Sequence, residues 1–286
     1  MLNNQVTSNR LHVLSAFASD QLDALKQARM DDFRLRQGEY QQEQANKEAE
    51  WTTRKTQCAT AWKERRFLSL PGKLWGLFLL SLEGSAPPPI LTAPSVEENI
   101  RQAGLDGEVR VQHKLFAVIP ESWEVISGYH NSKGETDFIL VTPNGLMVIE
   151  VKSYSGWICC LGDDWFALKP VRGGWIKNPI QDGGRRSPNQ QVNAVADSLE
   201  GYFVKFGPNL GVGRVKRAVV FAAQNSGIHQ VEQPGVELVC TLDSLTQECL
   251  LDVLPPRESP LDIGKLLKMI KKDHQFHETQ RRNRKM

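Results

Sequence analysis

Apolar positions follow different rhythms along the chain. Between residues 11 and 66 the composition is rich in Gln, Glu, Lys, Arg and Ala. Leu22, Leu25, Met30 and Phe33 recur there at a loose helical period, which predicts one or two exposed helices. No heptad is sustained, so these helices face solvent or lie against a partner. Phe67–Leu82, FLSLPGKLWGLFLLSL, is apolar over 16 residues but is broken by Pro71, Gly72 and Lys73. A spanning helix needs about 20 apolar residues. The segment therefore reads as one that packs onto the protein body or a partner. The other reading is an interfacial membrane anchor with Trp62 and Trp75 at the headgroup level. Residues 83–95, EGSAPPPILTAPS, hold four prolines and read as a linker.

Beyond the linker the pattern becomes that of an α/β domain. Ser95 can cap a helix from Val96, with Glu97 and Glu98 in its first turn. Gly104 and Gly107 are expected to break or restart it. From Glu108 onward, Val111, Leu115 and Ile119 fall on one face. Strand-like runs follow at Trp123–Ser127, Thr136–Thr142, Leu146–Ser153 and Trp157–Leu161, then a glycine-bearing loop with Trp165 and Trp175. Pro188–Phe206 reads as a helix with Val192, Val195, Leu199 and Phe203 on one stripe. Val215–Ala222 and Val236–Thr241 read as strands, and Leu242–Val253 and Leu261–His274 as helices. This order predicts a mixed central sheet flanked by helices. The resulting division is a helical extension at 1–82, a linker at 83–95, an α/β domain at 96–263 and a basic helix or tail at 264–286.

The hairpin from Glu135 to Gly156, ETDFILVTPNGLMVIEVKSYSG, carries the chemistry. Asn144-Gly145 favours a two-residue type I′ turn. That turn sets Pro143 opposite Leu146 and Lys152 opposite Asp137. Residues of one parity share a face, so Asp137, Glu150 and Lys152 emerge together with Ile139, Val141, Leu146 and Val148. Phe138, Leu140, Met147, Ile149 and Val151 take the other face. Both faces are apolar, which places the hairpin centrally. Asp137 and Glu150 become diagonal neighbours, and two carboxylates that close ask for a hard divalent cation between them. The plainer alternative is a cross-strand ion pair of Asp137 with Lys152, with Glu150 pointing out at the sheet's end.

Charge is distributed unevenly. The net +2 of the 286 residues combines +2 over residues 1–90, −6 over 91–263 and +6 over 264–286. An acidic body argues against a polyanionic partner unless a cation mediates. The tail, Lys265 to Lys285, either attracts phosphates or is a solvated terminus. Arg185-Arg186 and Lys216-Arg217 meet phosphates or lie solvated at the surface. Trp157, Trp165 and Trp175 stack on bases or close a core edge. Cys58, Cys159, Cys160, Cys240 and Cys249 form no even framework, and the six histidines show no ligand spacing. Reduced thiols and the lack of a signal-peptide pattern in MLNNQVTSNR together suggest a cytoplasmic chain. Peripheral membrane association through 67–82 stays open.

An Asp followed by Glu-x-Lys on the next strand resembles the PD-(D/E)xK nuclease core. The wider string is more specific: Gly107-Glu108, Thr136-Asp137, Pro143-Asn144-Gly145, Val148-Ile149-Glu150-Val151-Lys152-Ser153 and Gly156. Over roughly residues 102–222 it resembles the NERD, or nuclease-related, domain. That resemblance implies a restriction-endonuclease-like fold and a metal-dependent nuclease acting on DNA, with RNA a further substrate class. It implies a catalytic Glu108, a metal-binding Asp137 and the Glu150/Lys152 pair. It also implies a glutamine at the start of the next helix, which is Gln191, with Gln181 a competing match. The segment Asp182–Ser187 looks inserted relative to the family pattern. Mg²⁺, or Mn²⁺, is the implied metal, held by Glu108, Asp137, Glu150 and the carbonyl of Val151. The rival expectation is an inactive nuclease fold that binds nucleic acid or a protein partner, with residues 1–82 as its working surface.

Overall fold

The computed structural model describes residues 10–65, 70–82, 86–181 and 185–284, with the side chains of Phe17 and Leu70 left aside. Residues 1–9, in which no signal peptide was expected, the start of the apolar segment at 67–69, part of the linker at 83–85, residues 182–184 of the inserted stretch, and Lys285 and Met286 of the basic tail lie outside them. The chain clusters into two compact units: Gln21–Asn99, and Met1–Asp20 together with Ile100–Met286.

In the first unit, one long helix α1 (Phe17–Lys63) accounts for the Gln- and Glu-rich stretch. Helix α2 (Leu70–Leu82) accounts for the described part of the apolar segment. It leaves Leu74, Trp75, Phe78, Leu79 and Leu82 exposed. Among the described residues no helix is long and apolar enough to cross a membrane. Ser95 does cap the next helix: its Oγ accepts from the Glu98 N–H at 3.1 Å, and its own N–H donates to Glu98 Oε2 at 3.0 Å. Glu98 also meets Arg29 Nε at 3.2 Å, which balances a nearly buried carboxylate.

The second unit is a mixed α/β fold of the restriction-endonuclease type. Its main sheet has six strands in the order β1-β2-β3-β4-β8-β10. These are β1 (Leu11–Val13), β2 (Glu124–Asn131), β3 (Gly134–Thr142), β4 (Gly145–Lys152), β8 (Lys216–Phe221) and β10 (Leu238–Thr241). Strands β2, β3 and β4 run antiparallel, while β1, β8 and β10 join in parallel. A second sheet of four strands has the order β7-β6-β5-β9. It comprises β5 (Gly156–Leu161), β6 (Asp164–Val171), β7 (Gly174–Pro179) and β9 (Ser226–Glu232). Helices α3 (Val96–Val118), α4 (Pro188–Phe206), α5 (Gln247–Val253) and α6 (Ile263–Asn283) complete the described elements.

Alternation along β3 and β4 builds two cores. Ile139, Val141, Leu146 and Val148 pack with Val192, Val195, Leu199 and Phe203 of α4, and with Leu266 and Ile270 of α6. Phe138, Leu140, Met147, Ile149 and Val151 pack with Val111 and Leu115 of α3 and Leu250 of α5. The hairpin is therefore covered on both faces, as its two apolar faces required.

Four expectations are corrected. Helix α3 runs unbroken through Gly104 and Gly107. A helical glycine costs about 1 kcal/mol, but at 107 a Cβ would stand only 3.2 Å from Ala222 Cβ. The missing side chain lets the helix lie against the end of the sheet, and that packing outweighs the propensity. The stretch holding Trp165 and Trp175 is not a loop but the β6–β7 hairpin, with Arg172-Gly173 between the paired Val171 and Gly174. A separate second sheet, with its parallel strand β9, joins the single sheet that was expected. Finally, the β3–β4 turn is Pro143-Asn144, not Asn144-Gly145: Thr142 pairs with Gly145, and Phe138 with Ile149. Thr142 decides this. Its Oγ1 accepts from Asn144 N–H at 3.1 Å and Gly145 N–H at 3.0 Å, and donates to the Gly145 carbonyl at 2.9 Å. Neither Asn144 nor Gly145 adopts the positive φ that a type I′ turn demands.

Thr142 is fully buried, so Thr142→Val keeps the shape while leaving two turn N–H groups without their acceptor. It is expected to cost about 1–3 kcal/mol, read as a lower urea midpoint with an unchanged m-value.

Candidate active site at the end of the central hairpin

The corrected register moves the pairing by two residues, which preserves every face but changes every neighbour. Continuing the observed pairs sets Asp137 directly opposite Glu150 rather than Lys152. Lys152 instead turns to its own strand: Nζ donates to Glu150 Oε1 at 2.8 Å and to Gln191 Oε1 at 2.8 Å. In place of the cross-strand Asp137–Lys152 ion pair that was the plainer alternative, Lys152 pairs with Glu150 and is closed by a glutamine. Asp137 uses Oδ2 to accept from the Val151 N–H at 2.6 Å.

Each side chain is aimed by a different element. Strand β8 pairs with β4 up to Lys152–Phe221, and the Ala222 N–H closes on the Lys152 carbonyl at 2.9 Å. This holds the strand end straight where Glu150 and Lys152 project. Gln191 comes from the first turn of α4. Pro188 suits the first helical position, and Ser187 N–H donates to Gln190 Oε1 at 3.2 Å. Asp163, in the β5–β6 turn, accepts from Asn189 Nδ2 at 2.6 Å and Gln190 Nε2 at 3.0 Å. Gln191 is itself oriented by donating to the Arg186 carbonyl at 3.1 Å. Of the two competing glutamines, Gln191 is the one that reaches the site, while Gln181 is exposed.

Glu108 arrives from α3, at the same end of the sheet. A cavity of about 330 Å³ is lined by Glu108, Gln112, Glu135 and Asp137. Burial, then the negative charges of Glu135 and Glu150, push the Glu108 carboxyl from the usual 4.5 up to about 7, and Lys152 opposes this. Burial, followed by Glu150 and Glu108, holds Asp137 well above the ordinary carboxylate range, against Lys152 and the Val151 N–H. Glu135 is raised mainly by burial, with Arg281 pulling it down. Glu135 thus belongs to the acidic group, although its residue alone had no motif to mark it. Its parity was the available signal: residues 135 and 137 share a strand face.

Other expected contacts are not made here. Arg217 is buried and paired with Asp197 and Glu200, so it is not available for phosphate. Trp165 is core, stacked on Phe221 with ring centroids 6.2 Å apart. Trp157 and Trp175 lie exposed on the second sheet.

Could the site hold a metal? Among the described residues no group of three or more His, Cys, Asp or Glu side chains is gathered around one point. Mg²⁺ does not need one: it is usually held by one or two carboxylates and keeps several waters. Asp137 commits Oδ2 to Val151 and Glu150 commits Oε1 to Lys152, which leaves Oδ1 and Oε2 as hard oxygen donors. Glu108 and Asp137, raised first by burial and then by neighbouring negative charge, are carboxyls that a cation would relieve. The donor set fits.

The fold is consistent with the restriction-endonuclease type. Residues 103–222 match the family model NERD, the nuclease-related domain, which belongs to the PD-(D/E)xK-like superfamily. No curated protein and no solved structure matches the chain.

A carboxyl whose folded pKa is raised contributes stability below its unfolded pKa and loses it as pH rises through the folded value. In metal-free protein, Glu108 should therefore destabilise progressively from about pH 4.5 to above pH 7. Urea titrations at pH 5 and pH 8 should show the wild type losing more stability between them than Glu108→Gln does. An equal loss in both would remove the coupling of Glu108 to its neighbours.

Proposed function

We propose that the chain is a metal-dependent phosphodiesterase acting on DNA, with Glu108, Asp137, Glu150, Lys152 and Gln191 as its working residues. The hydrogen bonds of Lys152 to Glu150 and Gln191, beside a cavity lined by Glu108 and Asp137, support this reading. Asp137, Glu150 and the Val151 carbonyl would hold Mg²⁺, or Mn²⁺, with Glu108 supporting it directly or through water. When bound, such an ion acidifies water and offsets charge on the phosphodiester in the transition state. The protein's part is positional. Lys152, anchored on both sides at 2.8 Å, offers a point charge and a rotatable donor to a phosphate oxygen or to the attacking water. Gln191 keeps the ammonium from collapsing fully onto Glu150. The acidic body then becomes compatible with a polyanion, since the local charge is inverted once a cation sits there.

A second reading rests on the Lys152–Glu150 pair itself. Closed by Gln191, it balances the ammonium without any ligand, as a binding module derived from a nuclease would. In that case the fold binds nucleic acid or a protein partner and cleaves nothing.

Cleavage of plasmid and single-stranded DNA in Mg²⁺ separates the two. The wild type should cut and lose activity in EDTA, and Asp137→Ala and Lys152→Ala should each fall by at least about 100-fold. Equal rates in all three proteins would defeat the site. No cleavage, together with no heat of Mg²⁺ or Mn²⁺ binding in calorimetry, would establish the module.

A further inference from the structure

Helix α6 presents one of its faces to the segment Val13–Ala16. Between them lies a cavity of about 720 Å³, whose lining includes Lys271, Gln275, Arg281 and Arg282 from the helix and Ser15 and Asp20 from the other wall. Positions 271, 275, 278 and 282 recur at the spacing that keeps side chains on one helix face. This cavity adjoins the acidic one. Both are lined by Val13, Ser15 and Ala16. Gly128 allows that shared wall: it sits at φ +66°, where a Cβ would be 2.3 Å from the Ser15 carbonyl. Glu135 lines the acidic chamber and Arg281 the other; burial raises the Glu135 carboxyl and Arg281 pulls it down.

The two chambers differ in charge. One gathers Glu108, Glu135 and Asp137. The other holds three cations, Lys271, Arg281 and Arg282, against two carboxylates, Asp20 and Glu278, with Gln, Thr and Ser donors beside them; Arg281 meets Glu278 at 3.3 Å and Lys271 Nζ lies 3.1 Å from His12 Nδ1. Such donors make the contacts that proteins use on phosphate and sugar, which position a nucleic acid without reading its bases. From Lys271 to Arg282 the helix extends about 16 Å, enough for a few nucleotides of backbone. We propose that this α6 face is the track for the sugar-phosphate backbone of a polynucleotide strand on one side of the scissile phosphate, with Lys271, Arg281 and Arg282 as its phosphate contacts. This rests on the hydrolase reading for the meaning of "scissile". The binding itself can be measured without it. The track answers a problem the acidic site poses: affinity must come from cations away from the carboxylates.

The test is fluorescence anisotropy of a labelled 12-nucleotide single-stranded DNA with the full chain in EDTA, so that nothing is cut. The Lys271→Ala/Arg281→Ala/Arg282→Ala variant should bind about tenfold or more weakly. Its slope of log affinity against log salt should shrink by about 2, since each lost single-strand phosphate contact removes about 0.7. Lys265→Ala/Lys268→Ala/Lys272→Ala removes the same charge from other positions on α6 and should bind within twofold of wild type. Arg281→Lys/Arg282→Lys should retain most of the affinity, which guards against a merely misfolded variant. Unchanged binding in the first variant overturns the track, and so does an equal loss in the second, which would mean diffuse attraction. Lost binding in a chain that never cuts DNA keeps the track and discards the hydrolase. Cleavage with unchanged binding does the reverse.

Discussion

The pairing of β3 with β4 is the constraint on which the rest of this domain depends. Every residue from Phe138 to Val141 and from Leu146 to Ile149 is essentially inaccessible to water, and the two faces feed two different cores. A slip of one residue would exchange those cores and turn Asp137, Glu150 and Lys152 to the wrong side. Burial on both faces therefore specifies the parity of the hairpin strongly. Which even register is chosen is left to the turn. There Thr142 holds two backbone N–H groups, and the Asn144 side chain donates to the Leu254 carbonyl at 2.9 Å.

The candidate site lies at the other end of the same hairpin. Moving away from the turn, the strands leave the cores and their side chains change from aliphatic to ionic. Helices from both layers can reach this end, so α3 supplies Glu108 from one side and α4 supplies Gln191 from the other. The second sheet contributes indirectly, through Asp163 and its grip on the first turn of α4. Gathering carboxylates in a cleft this poorly hydrated raises their pKa values, and the domain carries that electrostatic strain in its metal-free form. Strain of this kind is a common mark of sites that bind charge, although structural ion pairs also produce it.

The same electrostatics explain the uneven charge of the chain. The acidity between residues 91 and 263 includes the carboxylates of the cleft, whereas the basic C-terminal segment is not a loose tail. It forms α6, whose apolar residues Leu266 and Ile270 are buried in the core. Its buried Asp273 accepts from the Tyr129 hydroxyl, and His274 Nδ1 accepts from the His130 N–H at 3.1 Å. Packing on one stripe decides where its cations point, and a stretch that composition left undecided becomes an ordered basic face beside the acidic cleft.

Local pattern was enough for much of this protein. The span of α4 was read to the residue, and the faces of β3 and β4 followed from strict alternation over apolar runs. Glu108, Asp137, Glu150, Lys152 and Gln191 are candidates because of their spacing within a string that resembles a known family. Three kinds of feature were not local. The continuity of α3 through Gly107 depends on Ala222, more than a hundred residues away. The β6–β7 hairpin exposes much of its surface and lacks a continuous apolar face, so its alternation is weak. The partners of Lys152 and the inclusion of Glu135 depend on a register set by one threonine hydroxyl. Hydrophobic periodicity encodes which face a residue takes, because burial acts on every residue of a strand or helix. It does not encode which residue stands opposite, because that choice rests on a few hydrogen bonds formed only when the chain has folded.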